Sequence, residues 1–215
     1  LCLPVDVEQT IAKMKEAIKN KELSWDDINY HCKKVLLAKY QYGGEKIAAI
    51  STENIAADLN KGVPEMKKLV AENAITLLNK KDNSFFPLQK SDTGKVAFIG
   101  IGATGENAFA KELKTAYNAD VFYFDYKQPG SRSEALLAQL KKGYSKIIIG
   151  IHNYSRKPEN NFGISNAAVE LVTKLQTETN SATFVFGNPY AVKNFCNAPN
   201  LVMCYEDDSI TQKAA

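Results

Sequence analysis

The sequence has little arginine and no long apolar run. Only Arg132 and Arg156 stand among its 27 Lys and Arg residues, and arginine is the side chain that best reads guanine or clamps phosphate. Both halves of the chain balance basic against acidic residues, so we expect no nucleic-acid partner. No apolar stretch approaches the roughly 18 residues that a membrane helix needs. We therefore expect no membrane span.

Cysteine and histidine are also scarce, with four cysteines and two histidines. No Cys-x-x-Cys pair occurs, and no cysteine combines with histidine at the spacing of zinc ligands. We therefore expect no metal site. The cysteines are interpreted as buried free thiols, with a disulfide left open as the alternative; they are Cys2, Cys32, Cys196 and Cys204.

The chain does have the composition of a globular protein. It contains 215 residues, of which 45% are hydrophobic and 24% are charged, with a formal net charge of +3. A chain of this length can bury one sizeable core. Since its first residue is Leu1 rather than Met, we expect either a processed chain or a piece of a longer protein.

The first 80 residues have the periodicity of helices. One apolar stripe follows Asp6, and a second helix begins after Ser24, a good N-cap, and stops at Gly43. A third helix opens at Pro64, and its apolar stripe continues to Leu77. These helices have no evident core of their own, so we expect them to pack on something else.

Beyond residue 90, short apolar runs alternate with helical stretches. Uninterrupted Val, Ile and Phe are typical of strands buried on both faces. The alternation predicts a three-layer α/β sandwich with a mainly parallel sheet of five or six strands. The predicted strands are 95–100, 120–125, 146–151, 182–187 and 200–205, and the predicted helices are about 105–117, 133–142, 165–179, 189–196 and one from near Asp208.

A glycine motif follows the first predicted strand. Gly100, Gly102 and Gly105 match Gly-x-Gly-x-x-Gly, and Asp125 ends the next strand. This spacing is typical of dinucleotide binding, in which the acid contacts a ribose. The structural alternative is a tight turn of the kind that any parallel α/β domain needs after its first strand. A nucleotide-binding domain of an oxidoreductase is therefore one alternative function, although the remainder of the chain is short for such an enzyme.

Four segments in order give a more specific signal. PVDVEQTIAKMKEAIKNKELSWDDINYHCKKVLLAKYQYG (4–43), LVAENAITLLNKKDNSFFPLQ (69–89), KVAFIGIGA (95–103) and FGNPYAVKNF (186–195) resemble the C-terminal portion of glycoside hydrolase family 3. The similarity is greatest to the bacterial β-N-acetylglucosaminidase (β-hexosaminidase) branch. STENIAADLN (51–60) resembles the linker between the two domains of that family.

The resemblance implies what the parent enzyme does. It implies retaining hydrolysis of terminal β-linked N-acetylhexosamine or a related sugar, with an Asp nucleophile and a His acid/base on a catalytic barrel that this chain lacks. The chain alone is then predicted to be non-catalytic and free of cofactors. Its expected partners are the barrel of the same polypeptide and the carbohydrate substrate, in the cytoplasm, periplasm or exterior of a bacterium. A carbohydrate-binding or scaffold module is a second alternative.

The resemblance also divides the chain into three parts. Residues 1–43 are predicted to be the terminal helices of the barrel, 44–90 a linker and bridging helix, and 91–215 the α/β sandwich domain. The apolar faces of the first helices should then be exposed, which makes a homo-oligomer through those faces possible.

One polar loop, residues 152–165, is the candidate rim of the substrate site. It follows the third predicted strand, and ligands of open parallel sheets meet the loops at the carboxyl ends of strands. Its candidate sugar-binding residues are His152, Asn153, Arg156 and Asn161. In some branches of the family a glutamate of the second domain is the acid/base, which draws attention to Glu159. Three acids further along are interpreted as helix-capping residues, namely Glu206, Asp207 and Asp208.

Overall fold

The structure is a computed structural model that describes residues 6–44, 51–81, 85–88 and 94–215. The chain divides into two compact units, Leu1–Ile55 and Ala56–Ala215. Each unit is described by itself below.

The first unit contains two capped helices. Helix α1 (Val7–Lys19) begins after Asp6, whose carboxylate accepts from the backbone N–H of Gln9 at 2.9 Å. Helix α2 (Trp25–Lys39) begins at the predicted Ser24 cap, which exchanges hydrogen bonds with Asp27 in a capping box. Neither helix buries a residue.

The second helix ends where glycine was expected to stop it. After Lys39 the chain makes a wide turn over Tyr40–Gly44, in which Gly43 has a φ of +113°. A side chain at this φ would be strained, so glycine is the residue that suits the position.

Two helices and a strand lie at the start of the second unit. The second of these helices was predicted from the sequence, and the strand was missed. Helices α3 (Ile55–Asn60) and α4 (Val63–Ala74) are followed by strand β1 (Thr76–Lys80). The prediction that the third helix reaches Leu77 was wrong, because Leu77 lies on β1. Antiparallel pairing with the last strand, where Thr76 lies opposite Met203, overrides the helical periodicity.

Five further strands and their helices complete the sheet. In chain order they are β2 (Val96–Ile101), α5 (Ala108–Tyr117), β3 (Asp120–Phe124), α6 (Gly130–Gly143), β4 (Lys146–Ile151), α7 (Asn166–Glu178), β5 (Ser181–Val185), β6 (Asn200–Met203) and α8 (Ser209–Ala214). Two 3-10 turns, Glu159–Gly163 and Pro189–Asn194, lie in the connections. The strand order is β1-β6-β5-β4-β2-β3, and all pairs except β1 with β6 are parallel.

Both faces of this sheet are covered. Ile99 and Ile149 pack in one cluster with Leu136 of α6 and Leu171 of α7, whereas Phe98 on the opposite side packs with residues of α5. The strands β2 and β4 are accordingly buried along nearly their whole length. The predicted three-layer α/β sandwich with a mainly parallel sheet is confirmed.

The cysteines differ from their prediction. Cys204 is buried, but Cys32 and Cys196 are exposed, and all three are free thiols. The prediction of burial was wrong for Cys32 and Cys196, because Cys32 belongs to a helix without a buried face and Cys196 follows the second 3-10 turn. Cys2 lies outside the described residues.

Candidate functional site

The site lies at the carboxyl edge of the parallel strands. The sheet grows from β2 in both directions, to β3 on one side and to β4, β5 and β6 on the other. The connections after β2 and β4 therefore leave the sheet toward opposite faces, and a crevice opens between them. Such a switch point is where open α/β sheets place their ligands.

His152 is the first residue after β4, and it is buried in this crevice with 1% exposure. Its ring stacks on Phe186 with 4.5 Å between the ring centroids and 15° between the planes. Its Nδ1 lies 2.8 Å from Asp207 Oδ1, and its Nε2 lies 3.3 Å from Asn107 Nδ2.

The hydrogen bonds of Asn107 indicate which nitrogen of His152 carries the proton. The Asn107 side-chain oxygen accepts from the backbone N–H of Ala110 at 2.9 Å, as the N-cap of α5. Its NH2 group is therefore the part that faces His152 and donates to Nε2. In the neutral ring the proton is then on Nδ1, which donates to Asp207.

Asp207 does not cap a helix, so its interpretation as a helix cap was wrong. Asp208, the next residue, caps α8 by accepting from the backbone N–H groups of Ile210 and Thr211. Asp207 instead accepts from His152, from the backbone N–H of Asn153 at 2.9 Å and from the Gln212 side chain at 2.7 Å. Glu206 is also not a capping residue, because its carboxylate lies 3.6 Å from the Arg156 guanidinium.

These contacts set the ionisation of Asp207. Burial by itself would raise its pKa, but the hydrogen bonds and charge of its partners outweigh burial and hold the pKa of Asp207 below its ordinary value. The carboxylate is thus an anion at neutral pH. Burial also raises the pKa of Tyr126, whose hydroxyl donates to the carbonyl oxygen of His152 at 2.7 Å.

A small pocket of about 290 Å³ opens above this network. Its lining is mostly polar and comes from the connections after β2, β4 and β6 together with α8. Hydroxyl, amide and carboxylate groups of this kind can hydrogen-bond a neutral polar ligand. The lining residues are Ala103, Thr104, Gly105, Glu106, Asn107, His152, Asn153, Asp207 and Gln212.

The other three candidate rim residues have different surroundings. The Asn153 side chain donates to the carbonyl of Gly102 at 3.1 Å, and the Asn161 side chain lies 3.4 Å from the carbonyl of Ile164. The side chain of Arg156 is 89% exposed. The structure thus brings His152 and Asn153 together at the base of the loop and leaves Arg156 facing solvent at its tip.

Glu159 starts a turn of unusual hand. Asn160, Asn161 and Phe162 have φ values of 49°, 54° and 59°, so the chain here follows a left-handed path that only glycine, and to a smaller degree asparagine, adopts readily. Phe162 is buried against Tyr154, with 6.2 Å between the rings. Glu159 itself is exposed, and it stays a weak catalytic hypothesis.

The glycine motif has a structural explanation. A Cβ at Gly102, which has a φ of +77°, would lie 2.3 Å from the His152 carbonyl oxygen. Gly100 is enclosed by Ala103 and Tyr123, whereas a Cβ at Gly105 would meet open space. Protein contacts and backbone conformation therefore require glycine at 102, whereas at 100 a Cβ would only be in tight contact with neighbouring side chains.

The groups that a dinucleotide would use are already engaged. The backbone N–H of Ala108, at the start of α5, donates to the Gln212 side chain at 3.0 Å, and that of Ala110 donates to Asn107. Asp125 accepts from the backbone N–H of Lys127 at 2.8 Å in a local turn. These contacts disfavour the dinucleotide alternative, which needs free donors at the helix start.

The described part of the chain offers neither a metal site nor a membrane-spanning helix. No group of three or more His, Cys, Asp or Glu side chains there could hold a metal ion. No helix among those residues is both long enough and apolar enough to cross a membrane.

Sequence reasoning missed Asn107 and Asp207 as partners of His152, and Gln212 as a partner of Asp207. Each stands at the start of a helix or inside one, where a local role explains it equally well. The available signal was topological, since the ends of β2, β4 and β6 had to meet at one edge once the strands were parallel.

Solved structures resemble the chain over nearly its whole length. A β-glucoside phosphorylase BglX bound to 2FGlc matches with a TM-score of 0.66 and 15% identity, over 99% of this chain and 39% of that one. A glycoside hydrolase family 3 β-N-acetylglucosaminidase from Paenibacillus sp. str. FPU-7 matches with a TM-score of 0.60 and 15% identity, over 93% and 38%. This chain has the fold of the C-terminal region of family 3 glycoside hydrolases.

A third similar structure is that of a β-glucosidase. A β-glucosidase from Listeria innocua in complex with glucose matches with a TM-score of 0.61 and 17% identity, over 95% of this chain and 31% of that one. The chain spans 31 to 39% of the length of these three proteins. No protein-family model and no curated protein sequence matches it.

Proposed function

We propose that the chain is the C-terminal α/β portion of a family 3 glycoside hydrolase and that its parent carries the catalytic barrel. The observation that supports this most strongly is structural similarity to such enzymes over 93 to 99% of the chain, together with four matching sequence segments in the family's order. Residues 1–43 are the end of the barrel in this proposal, 44–90 the linker and bridging helix, and 91–215 the sandwich domain.

The parent hydrolyses terminal β-linked N-acetylhexosamine with retention of configuration. The sequence resemblance to the N-acetylglucosaminidase branch supports this substrate class, and one of the similar structures carries that activity in its name. Retaining hydrolysis needs two groups about 5 Å apart across the glycosidic bond. We place both groups on the barrel, so the chain alone is inactive.

The contribution of this chain is the rim of the sugar site. The loop after β4 supplies it, with Arg156 as the side chain best placed to donate hydrogen bonds to sugar hydroxyls or an acetamide oxygen. His152 and Asn153 support the loop from below. Ala substitution at Arg156 in the parent should therefore raise KM more than it lowers kcat.

The experiment compares two polypeptides on two aryl substrates. The chain alone should release no nitrophenol from an aryl β-N-acetylglucosaminide, whereas a polypeptide that adds the upstream barrel should release it. The same assay with an aryl β-glucoside, with and without inorganic phosphate, tests glucosidase and phosphorylase activity. Turnover by the chain alone, or turnover of the glucoside only, would contradict the proposal.

A further inference from the structure

The connection after β6 contacts the loop after β4 at two separate points. At the base of the loop, Asp207 accepts from the His152 ring at 2.8 Å and from the Asn153 backbone N–H at 2.9 Å. One residue earlier, Glu206 lies 3.6 Å from the exposed Arg156 guanidinium. The dipeptide Glu206-Asp207 thus contacts both the base and the tip of the loop.

The base of the loop is fixed to the sheet by contacts that do not involve Asp207. The His152 backbone N–H donates to the Ile101 carbonyl at 2.9 Å, and its carbonyl accepts from the Tyr126 hydroxyl. Stacking on Phe186 then sets the plane of the ring. Asp207 therefore joins His152, which is fixed to the sheet, to Asn153, the next residue of the loop.

The loop itself has a backbone that needs support. Asn153 has a φ of 55°, and it begins a path that ends in the left-handed turn described above. Non-glycine residues in this region are strained and persist where surrounding contacts hold them. Further along, the Ser155 backbone N–H donates to Phe162 at 2.8 Å, and the Asn188 side chain donates to the Arg156 carbonyl at 2.8 Å.

We propose that Asp207 is a positioning residue for Arg156. By holding His152 and Asn153 together it fixes the path of the loop after β4, and Glu206 then orients the guanidinium group at the tip. The geometric part of this inference stands on the contacts within the chain. Only the purpose, presentation of Arg156 to a sugar, rests on the proposed function.

The test compares two adjacent carboxylates in the chain. Asp207→Ala removes the contacts with the loop. Asp208→Ala is the matched control, since Asp208 instead caps α8 and pairs with Lys67 at 2.9 Å. Amide hydrogen exchange at residues 153–156 should rise about tenfold or more in Asp207→Ala. The ¹⁵N signature of a proton on His152 Nδ1 should change in that variant and persist in Asp208→Ala.

Three further results test the positioning role of Asp207. Exchange at 153–156 that is unchanged in Asp207→Ala, or raised equally in Asp208→Ala, overturns the inference. If Asp207→Ala does not fold, Asp207→Asn keeps the shape and one acceptor oxygen, and its exchange should lie between wild type and tenfold. Glu206→Gln should shift the Arg156 Nε–H resonance and leave the Asn153 amide resonance unchanged. An Arg156 resonance that does not shift would contradict the orienting role of Glu206.

A kinetic comparison separates this inference from the proposed function. In the polypeptide that carries the barrel, Asp207→Ala should raise KM for the aryl β-N-acetylglucosaminide more than it lowers kcat, whereas Asp208→Ala should leave KM unchanged. If the loop loosens in the chain but KM does not move, the positioning role stands and the rim proposal fails. If the loop stays protected while the barrel polypeptide is active, the rim proposal stands and the positioning role is overturned.

Discussion

The two units of the chain differ in the exposure of their apolar side chains. In α1 and α2, Trp25 is 61% exposed and Leu36 is 59% exposed, and no residue of either helix is buried. In the sheet unit, Leu136 and Ile149 are fully buried. The comparison teaches that an apolar stripe with good caps is sufficient to predict a helix and insufficient to predict a core, because a core needs a second surface on which the stripe packs.

Thiol chemistry should show the largest difference between the units. Cys32 lies exposed on α2, whereas Cys204 is buried directly after β6, and burial raises its pKa. With a maleimide reagent we expect Cys32 to react at least about a hundredfold faster, since Cys204 needs an opening of the core. Cys196, exposed in the sheet unit, is the control, and it should react like Cys32. Slow labelling of Cys196 would contradict this prediction, because it would show that burial does not determine the rate at which these cysteines react.

Truncation of matched leucines should separate the units next. Leu136→Ala removes a fully buried side chain and should lower the free energy of unfolding by about 2 to 5 kcal/mol. Leu36→Ala removes a side chain of the same size from an exposed position, and the change should stay within about 0.5 kcal/mol. Urea titration followed by circular dichroism measures both. A large loss in Leu36→Ala would show that α2 is packed in solution.

The cap of α2 should matter to its own unit alone. Ser24→Ala removes the hydroxyl that accepts from the Asp27 backbone N–H and donates to the Asp27 carboxylate, and this should cost the helix about 1 kcal/mol. Because α2 buries none of its residues, the loss should appear as fraying of residues 24–28 in amide exchange. Ser24→Asp should restore most of the protection. Equal loss of protection across β2 and β4 would contradict this local effect.

The acid dependence of the loop after β4 is the smallest expected effect. The pKa of folded Asp207 lies below its ordinary value, so its stabilisation is present above the unfolded pKa, about 3.9, and is lost as the pH falls through the folded value. The Asn153 amide resonance should therefore titrate below about pH 4. In Asp207→Asn this titration should vanish, and in Asp208→Asn it should remain. A titration that persists in Asp207→Asn would point to another group.

The sheet was the most predictable part of the molecule. The run Lys146–Ile151 contains four isoleucines without polar alternation, and the strand predicted there has the same bounds in the structure. Strand β1 escaped prediction because Thr76–Lys80 is an edge strand, largely exposed, that continues the helical stripe of α4. Its structure depends on a partner far along the chain, which local periodicity does not report.

The site was predictable in place and not in detail. The loop at 152–165 was located from the rule for open parallel sheets, but the contacts of the His152 ring with Phe186 and Asp207 were not predicted, and the role of His152 toward a sugar stays a prediction. A polar residue after a strand can point into the crevice or away from it, and the choice is made by groups on other strands. The roles of Arg156 and Glu159 toward substrate stay predictions.

The position of β1 has a consequence for how the chain folds during synthesis. Thr76 pairs with Met203, so β1 has no partner strand until residues as far along the chain as Met203 have left the ribosome. The inner parallel strands can assemble earlier, because each crossover brings its neighbour within reach. We therefore expect the pairing of β1 with β6 to be a late step of folding.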